Sequence, residues 1–235
     1  QLAGYLELHI EQSKRLDDAD LDIGVVTCIV GRMIYLITFH GEASHSATTK
    51  AEDRHDALLG AASFITSAYQ LVQANFPEGI INCGNLNVLP GNFNVVPNRV
   101  AVALEYRHPD KVKIAEMEKA LLQLADEQAK QYRLKVMAQQ LVHMPTATMA
   151  GRAILAIENA CRELDVKDTR LVSYAGHDAQ VMSNFTPSGI MFIPSVNGVS
   201  HHPNELTKWE HVIKGVNVLL HTILQIARDE ESSRL

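Results

Sequence analysis

Cysteine is scarce in this chain. Cys28, Cys83 and Cys161 are the only three in 235 residues, odd in number and irregularly spaced, which excludes a disulfide framework or a zinc knuckle as the organising device. Positive charge is also short, with 21 Lys and Arg against 27 Asp and Glu and a net charge of −6. No basic stripe exists to release counterions, so a nucleic-acid partner is not expected. Long apolar runs are missing too: stretches such as Ile190 to Val196 fall well short of a membrane span, and no charged-then-apolar leader opens the sequence. These absences fit a soluble protein of the reducing cytoplasm that engages no membrane. The chain has no initiator Met and begins at Gln1 directly in strand-like sequence, which we read as the cut end of a longer polypeptide.

What is present is enough apolar sequence, 46% of residues, for one or two cored domains. From Leu6 to Gln12 the apolar Leu6, Leu8 and Ile10 alternate with Glu7, His9 and Glu11, the period of a strand with one buried and one polar face. His9 and Glu11 then point the same way, a source of a metal ligand with carboxylate support. Ile23 to His40 is β-rich and broken at Gly31. The three- and four-residue spacing of Leu58, Ala61, Ile65, Ala68 and Val72 predicts a helix over 52–75. Strands over 80–88 and 99–107, a helix over 111–132 and a strand over 134–140 follow. The order β, α, β, β, α, β predicts a split βαβ, ferredoxin-like sandwich, one compact domain over residues 23–142. After Pro145 the pattern becomes alternating helix and strand: a helix over 146–164, extended 169–173, an apolar strand over 188–196 covered on both faces, and a helix over 208–228. Residues 1–22 and 143–235 are expected to form part of one α/β domain that receives the sandwich as an insertion.

Several polar groups fall where chemistry is done. Ser200-His201-His202-Pro203 follows the apolar strand, a position where α/β proteins place ligand-binding groups. His201 is either a metal ligand or one of two solvated loop histidines. In Ala175-Gly176-His177-Asp178 the default is that Asp178 caps a helix and His177 is a first-turn residue. His45 follows a Gly-containing strand end and is either functional or a surface histidine. Arg107, on the face opposite Val102 and Leu104, needs a carboxylate from elsewhere in the sheet or from a substrate. Pairing with Glu105 along one strand is not expected.

Six motifs in register carry a family resemblance. They are His9-Ile10-Glu11-Gln12, Gly41-x-Ala43-x-His45 with Thr48-Thr49 and Arg54-x-Asp56, Asn94-Val95-Val96-Pro97, Tyr106-Arg107-His108, Ala175-Gly176-His177-Asp178-Ala179, and Gly198-x-Ser200-His201-x-Pro203-x-Glu205. The chain resembles the hydantoinase/carbamoylase type of amidase, within the two-metal aminoacylase and carboxypeptidase superfamily. The resemblance implies a partial two-metal exopeptidase-like catalytic domain bearing a lid domain through which homodimers form. It implies two divalent ions, Zn or Mn, Co or Ni, with His9 and His201 among their ligands, and further ligands and the general base upstream of this sequence. His45 would stabilise an oxyanion in the neighbouring subunit, and Gln12, Asn94, Arg107 and Gly176 would hold a small ureido-acid substrate. Ser13, Ser46-Ala47, Lys50 and Glu105 depart from the usual residues without removing a reactive group. Arg32-Met33-Ile34 lacks the second Arg usual in allantoate-cleaving members and tilts the expectation toward an N-carbamoyl-L-amino acid, whereas Val196-Asn197-Gly198 reads like the allantoate branch.

Overall fold

The structure, a computed structural model, describes residues 3–232. In chain order the first elements are β1 (Tyr5–Ile10), α1 (Arg15–Asp18), β2 (Ile23–Ile29), β3 (Gly31–His40), β4 (Ser44–His45) and α2 (Ala57–Asn75). Next come β5 (Ile80–Leu89), β6 (Val95–Val96), β7 (Arg99–His108), α3 (Lys111–Gln131) and β8 (Lys135–Met144). The chain closes with β9 (Ala147–Thr148), α4 (Gly151–Glu163), β10 (Asp168–Ser173), α5 (Asp178–Met182), β11 (Ser188–Ile193) and α6 (Trp209–Ser232). No helix among the described residues is long and apolar enough to cross a membrane.

Two compact units result, residues 31–146 and residues 1–30 with 147–235. The expected block over 23–142 is therefore shifted. Its first stretch, β2, hydrogen-bonds to β10 and β11 and belongs with the first and last parts of the chain. The break at Gly31 is where one sheet ends and the next begins.

The unit of residues 31–146 has an antiparallel sheet in the order β5-β7-β3-β8, the split βαβ arrangement the periodicity predicts. Alternation sorts its faces: Met33, Tyr35, Ile37 and Phe39 of β3 and Val100, Val102, Leu104 and Tyr106 of β7 are buried in one core with Phe64, Met117 and Leu121 of the two helices. Asp56 starts α2 by accepting from the backbone N–H groups of Leu58 and Leu59 at 2.9 and 3.1 Å. The helix therefore begins after Asp56, not at residue 52, because a capped N-terminus is fixed by its cap. Asp110 does the same for α3, at 2.7 and 3.0 Å.

In the other unit the sheet order is β1-β11-β2-β10, with β9 beside β2. β1 runs parallel to β11, β2 parallel to β10, and β11 antiparallel to β2. Every residue of β11 is buried. Ile190 and Phe192 join a cluster with Leu16 of α1 and Ala179 of α5, whereas Met191 and Ile193 join one with Ile157 of α4 and Val218 of α6. Helices thus cover both faces, as the continuous apolar run predicts. Residues 147–148, expected to be helical, instead pair with Cys28 and Ile29, and α4 starts only at Gly151.

Two stability predictions follow from this packing. A Cβ at Gly41 would lie 1.9 Å from the His55 carbonyl oxygen, a backbone atom that cannot step aside, so Gly41→Ala should lower stability by about 1–3 kcal/mol or more in urea unfolding. Glu158 receives Arg170 through both oxygens, at 2.6 and 3.0 Å, and this pairing holds its carboxyl below the ordinary glutamate value. A depressed carboxyl stabilises the fold above its unfolded pKa and loses that contribution as pH falls through the folded one. Arg170→Gln should therefore cost no more than about 1 kcal/mol at pH 7, and its unfolding midpoint should converge on that of the parent chain in strong acid.

Candidate functional site

β1 sets out the first group of polar side chains. Leu8 and Ile10 pack toward α4 and α6, so period-two alternation turns Glu7 and His9 to the α5 side. There the His9 ring meets His177 edge-on, with centroids 4.7 Å apart at 71°, and Phe192 at 6.3 Å. Glu7 accepts the Ala179 N–H at 2.7 Å and the Tyr5 hydroxyl at 3.4 Å through Oε2, while its Oε1 stands 3.8 Å from His177 Nδ1. Ser173 Oγ donates to the Ala175 carbonyl at 2.9 Å and lies 3.0 Å from His177 Nε2. Burial, helped by the neighbouring His9, pushes the His177 pKa down to about 4, so its imidazole is neutral at physiological pH. Among the described residues, Glu7, His9 and His177 each offer a ligand atom within 4.8 Å of the others.

Two expectations change here. Glu11, expected to support His9, lies beyond the strand and is spent on the next turn. It takes the Leu16 N–H at 2.9 Å, Arg15 Nε at 3.0 Å and the Ser13 hydroxyl. Nor does Asp178 cap α5: His177 occupies the N-cap position, without a side-chain cap bond, and Asp178 is the first helical residue. The neighbours of His9 that sequence reasoning passed over are Glu7, on the same strand face two residues earlier, and His177, which lay inside a quoted motif.

A second group gathers where the chain leaves β1 and β11. Gln12, at φ 58°, donates its amide to Ser200 Oγ at 3.1 Å, and the same nitrogen stands 3.4 Å from His201 Nε2. The Gln12 N–H reaches Ser195 Oγ at 3.1 Å. His201 is exposed, at φ 55°, its N–H held by Glu205 Oε2 at 3.1 Å. Gln12 and His201 are thus brought together, while His201 stands outside the Glu7, His9 and His177 group. Gly176 is exposed, and a Cβ there would meet only Gln180 Oε1, at 3.5 Å. Internal packing does not require a glycine at that position.

The remaining expected residues lie in the unit of residues 31–146. His45 pairs with Val95 across β4 and β6, and Ser46 N–H donates to the Asn94 carbonyl at 3.1 Å, so His45 and Asn94 share one exposed loop pair with the fully exposed Phe93. Ala47 N–H donates to His45 Nδ1 at 3.1 Å. That bond fills the Nδ1 lone pair and leaves the proton on Nε2, a donor. Arg107 is elsewhere: it stands eight residues beyond Arg99 on β7, about 26 Å along a strand rising about 3.3 Å per residue. Contrary to expectation, Arg107 does pair with Glu105, through Nε at 2.8 Å and Nη2 at 2.7 Å to one oxygen. Residues two apart on a strand share a face, and the arginine stem is long enough to bend back along it.

Divalent-cation chemistry suits His9. Its Nδ1 lies 2.8 Å from the Ile10 carbonyl; a carbonyl can only accept, so Nδ1 carries the proton and Nε2 keeps the lone pair a metal needs. Two imidazoles, His9 and His201, do not complete the four or so ligands of a zinc site.

Residues 1–225 match the family described as Peptidase family M20/M25/M40. The N-carbamoyl-L-amino acid amidohydrolase of Geobacillus stearothermophilus is 32% identical over 226 residues, 96% of this chain and 55% of that protein. The allantoate amidohydrolase of Bacillus subtilis is 30% identical over 227 residues, again 96% and 55%. A crystal structure of a hydantoinase/carbamoylase family amidase from Burkholderia multivorans superposes with a TM-score of 0.86 at 33% identity, covering 95% of this chain and 55% of its own. The chain spans about half the length of the curated relatives it matches. It belongs to the M20/M25/M40 peptidase family.

Proposed function

We propose that this chain is part of a metal-dependent amidohydrolase that cleaves the carbamoyl C–N bond of an N-carbamoyl-L-amino acid. The observation that carries this reading is similarity over 96% of the chain to the Geobacillus stearothermophilus relative, which is named for such a substrate. His9 and His201 would supply two ligands of a two-metal centre, Zn or Mn, Co or Ni. When bound, such ions acidify a water and polarise the ureido carbonyl. The Nε2–H of His45 would donate to the developing oxyanion, a contribution of about 10² to 10³ in rate. Arg107, oriented by Glu105, would grip the substrate carboxylate, with Asn94, Gln12 and Gly176 around the rest of the molecule. A glycine that packing does not demand leaves space for a ligand to approach the backbone, which supports the part given to Gly176.

The separation within the unit of residues 31–146 bears on assembly. His45 and Asn94 lie toward the Arg99 end of β7 and Arg107 toward the other, so one small substrate held by all three would draw on two copies of the chain. Phe93, a bare aromatic beside Asn94, supports a subunit contact there. We therefore read the protein as a homodimer formed through this lid domain. Sedimentation of the purified chain should give a dimer at tens of micromolar; a folded monomer at high concentration refutes this assembly.

The reading also makes this chain one part of a larger cytoplasmic enzyme whose general base and remaining ligands lie outside it. Support comes from α6, where Trp209, Ile213, Val216, Leu220 and Ile223 are each 47% exposed or more at alternating four- and three-residue steps, and from β1, which forms an edge of its sheet. Both are surfaces that more polypeptide would cover. Cleavage of allantoate is the second reading, favoured by Val196-Asn197-Gly198 and by the Bacillus subtilis relative. A non-catalytic dimerisation fragment is a third, favoured by the partial coverage of the relatives. One assay separates them: ammonia release from N-carbamoyl-L-amino acids and from allantoate, measured on the chain alone and on the chain fused to the N-terminal half of the Geobacillus stearothermophilus relative. We expect no turnover alone and turnover of the carbamoyl amino acid by the fusion. Turnover by residues 1–235 alone refutes the division of ligands, preference for allantoate selects the second reading, and a folded, inactive fusion selects the third.

A further inference from the structure

A histidine that ligates a metal through one nitrogen needs its ring held still, and the packing behind His9 is more elaborate than its own hydrogen bond requires. The Ile10 carbonyl fixes the protonated nitrogen of His9 but not the tilt of the ring. The tilt is set by two neighbouring rings, His177 at 4.7 Å and Phe192 at 6.3 Å. His177 is itself placed: Phe192 stands 5.0 Å away, Nε2 lies 3.0 Å from Ser173 Oγ and, with that hydroxyl spent on the Ala175 carbonyl, donates to it, and the Glu7 carboxylate flanks the Nδ1 side at 3.8 Å. Glu7 in turn is fastened by the Ala179 N–H at the start of α5 and by the Tyr5 hydroxyl. The His177 side chain is 1% exposed and that of Glu7 13%, so both stand enclosed beside a half-exposed His9. A phenylalanine at 177 would keep a ring beside Phe192 but lose the Nε2 contact with Ser173. The hydrogen-bonding atoms of this residue, buried at the cost of their water, therefore hold the ring in one place.

We propose that His177, held by Ser173 and flanked by Glu7, is a positioning residue that fixes the ring of His9 for metal ligation. Glu7 and His177 stand behind the ligand as its support, the arrangement common around metal-bound histidines. The role rests on the reading of His9 as a ligand given above, and it assigns work to two residues for which neither the motifs nor the fold required any.

The test uses the whole chain, labelled with ¹⁵N and free of metal, with two-bond proton–nitrogen spectra reporting the tautomer and line width of His9, and zinc titration read alongside. In the parent chain His9 should show a single Nδ1–H tautomer with sharp lines. In His177→Phe, which keeps a ring at the position, and in Glu7→Gln, which keeps the shape of the acid, the His9 resonances should broaden or average between tautomers. Zinc affinity should fall about tenfold to a hundredfold, the range for losing support of this kind, with the far-UV circular dichroism of both variants unchanged. Unaltered His9 resonances in both folded variants overturn the proposal. So does loss of zinc binding as complete as in His9→Ala while His9 keeps its tautomer and sharp lines, because Glu7 and His177 are then ligands themselves. If His9→Ala leaves zinc affinity untouched, the ligand reading has failed and the proposal falls with it; altered His9 resonances in the metal-free variants would still register the contact, so the two failures are told apart.

Discussion

The pairing of β1 with β11 is the constraint on which the unit of residues 1–30 and 147–235 depends. β11 is buried along its whole length and covered by helices on both faces, so its position admits little adjustment. β1 is bound to it in parallel register, with His9 opposite Phe192. That register decides which side chains of β1 enter the α4 and α6 cluster and which face α5. A slip of one residue would bury Glu7 and His9 among Ile157 and Val218 and turn Leu8 and Ile10 toward His177. The chemistry of the strand is thus inherited from the hydrophobicity of a segment more than 170 residues away.

Much of this was legible in the sequence because it depends on local periodicity. The faces of β1, the alternation of β7, the two long helices and the doubly covered β11 all follow from spacings of two or of three and four. What escaped were features decided by a single partner at a distance or by the reach of one side chain. Nothing local says that β2 hydrogen-bonds to β10, so the periodicity of Ile23 to Ile29 does not reveal which unit it joins. Glu11 keeps the alternation of β1 on paper, yet the strand ends at Ile10 and the carboxylate turns to the backbone of Leu16. Arg107 pairs along its own strand with Glu105 instead of across the sheet, because residues two apart lie side by side on one face.

The candidate site was legible unevenly. His45 and Asn94, far apart in sequence, do come together, because the short β4 and β6 pair. Gln12 and His201 also meet, across the ends of neighbouring strands. The blind spot was His177. Alone it is one histidine at a helix start, and only in three dimensions does its ring meet His9 and its nitrogen meet Ser173.

Gly198 lies between β11 and the turn that carries His201. It has φ +67°, and a Cβ on it would come within 2.8 Å of the Lys14 N and 2.9 Å of the Ser13 carbonyl carbon. Backbone blocks that space, so no rotamer change could make room. The loop bearing His201 therefore departs from a point fixed against the turn after β1. Inherited variation will meet this as unequal tolerance: the exposed His202 and Asn204 have room for other polar side chains, while almost any amino-acid replacement of Gly198 would be purged by selection.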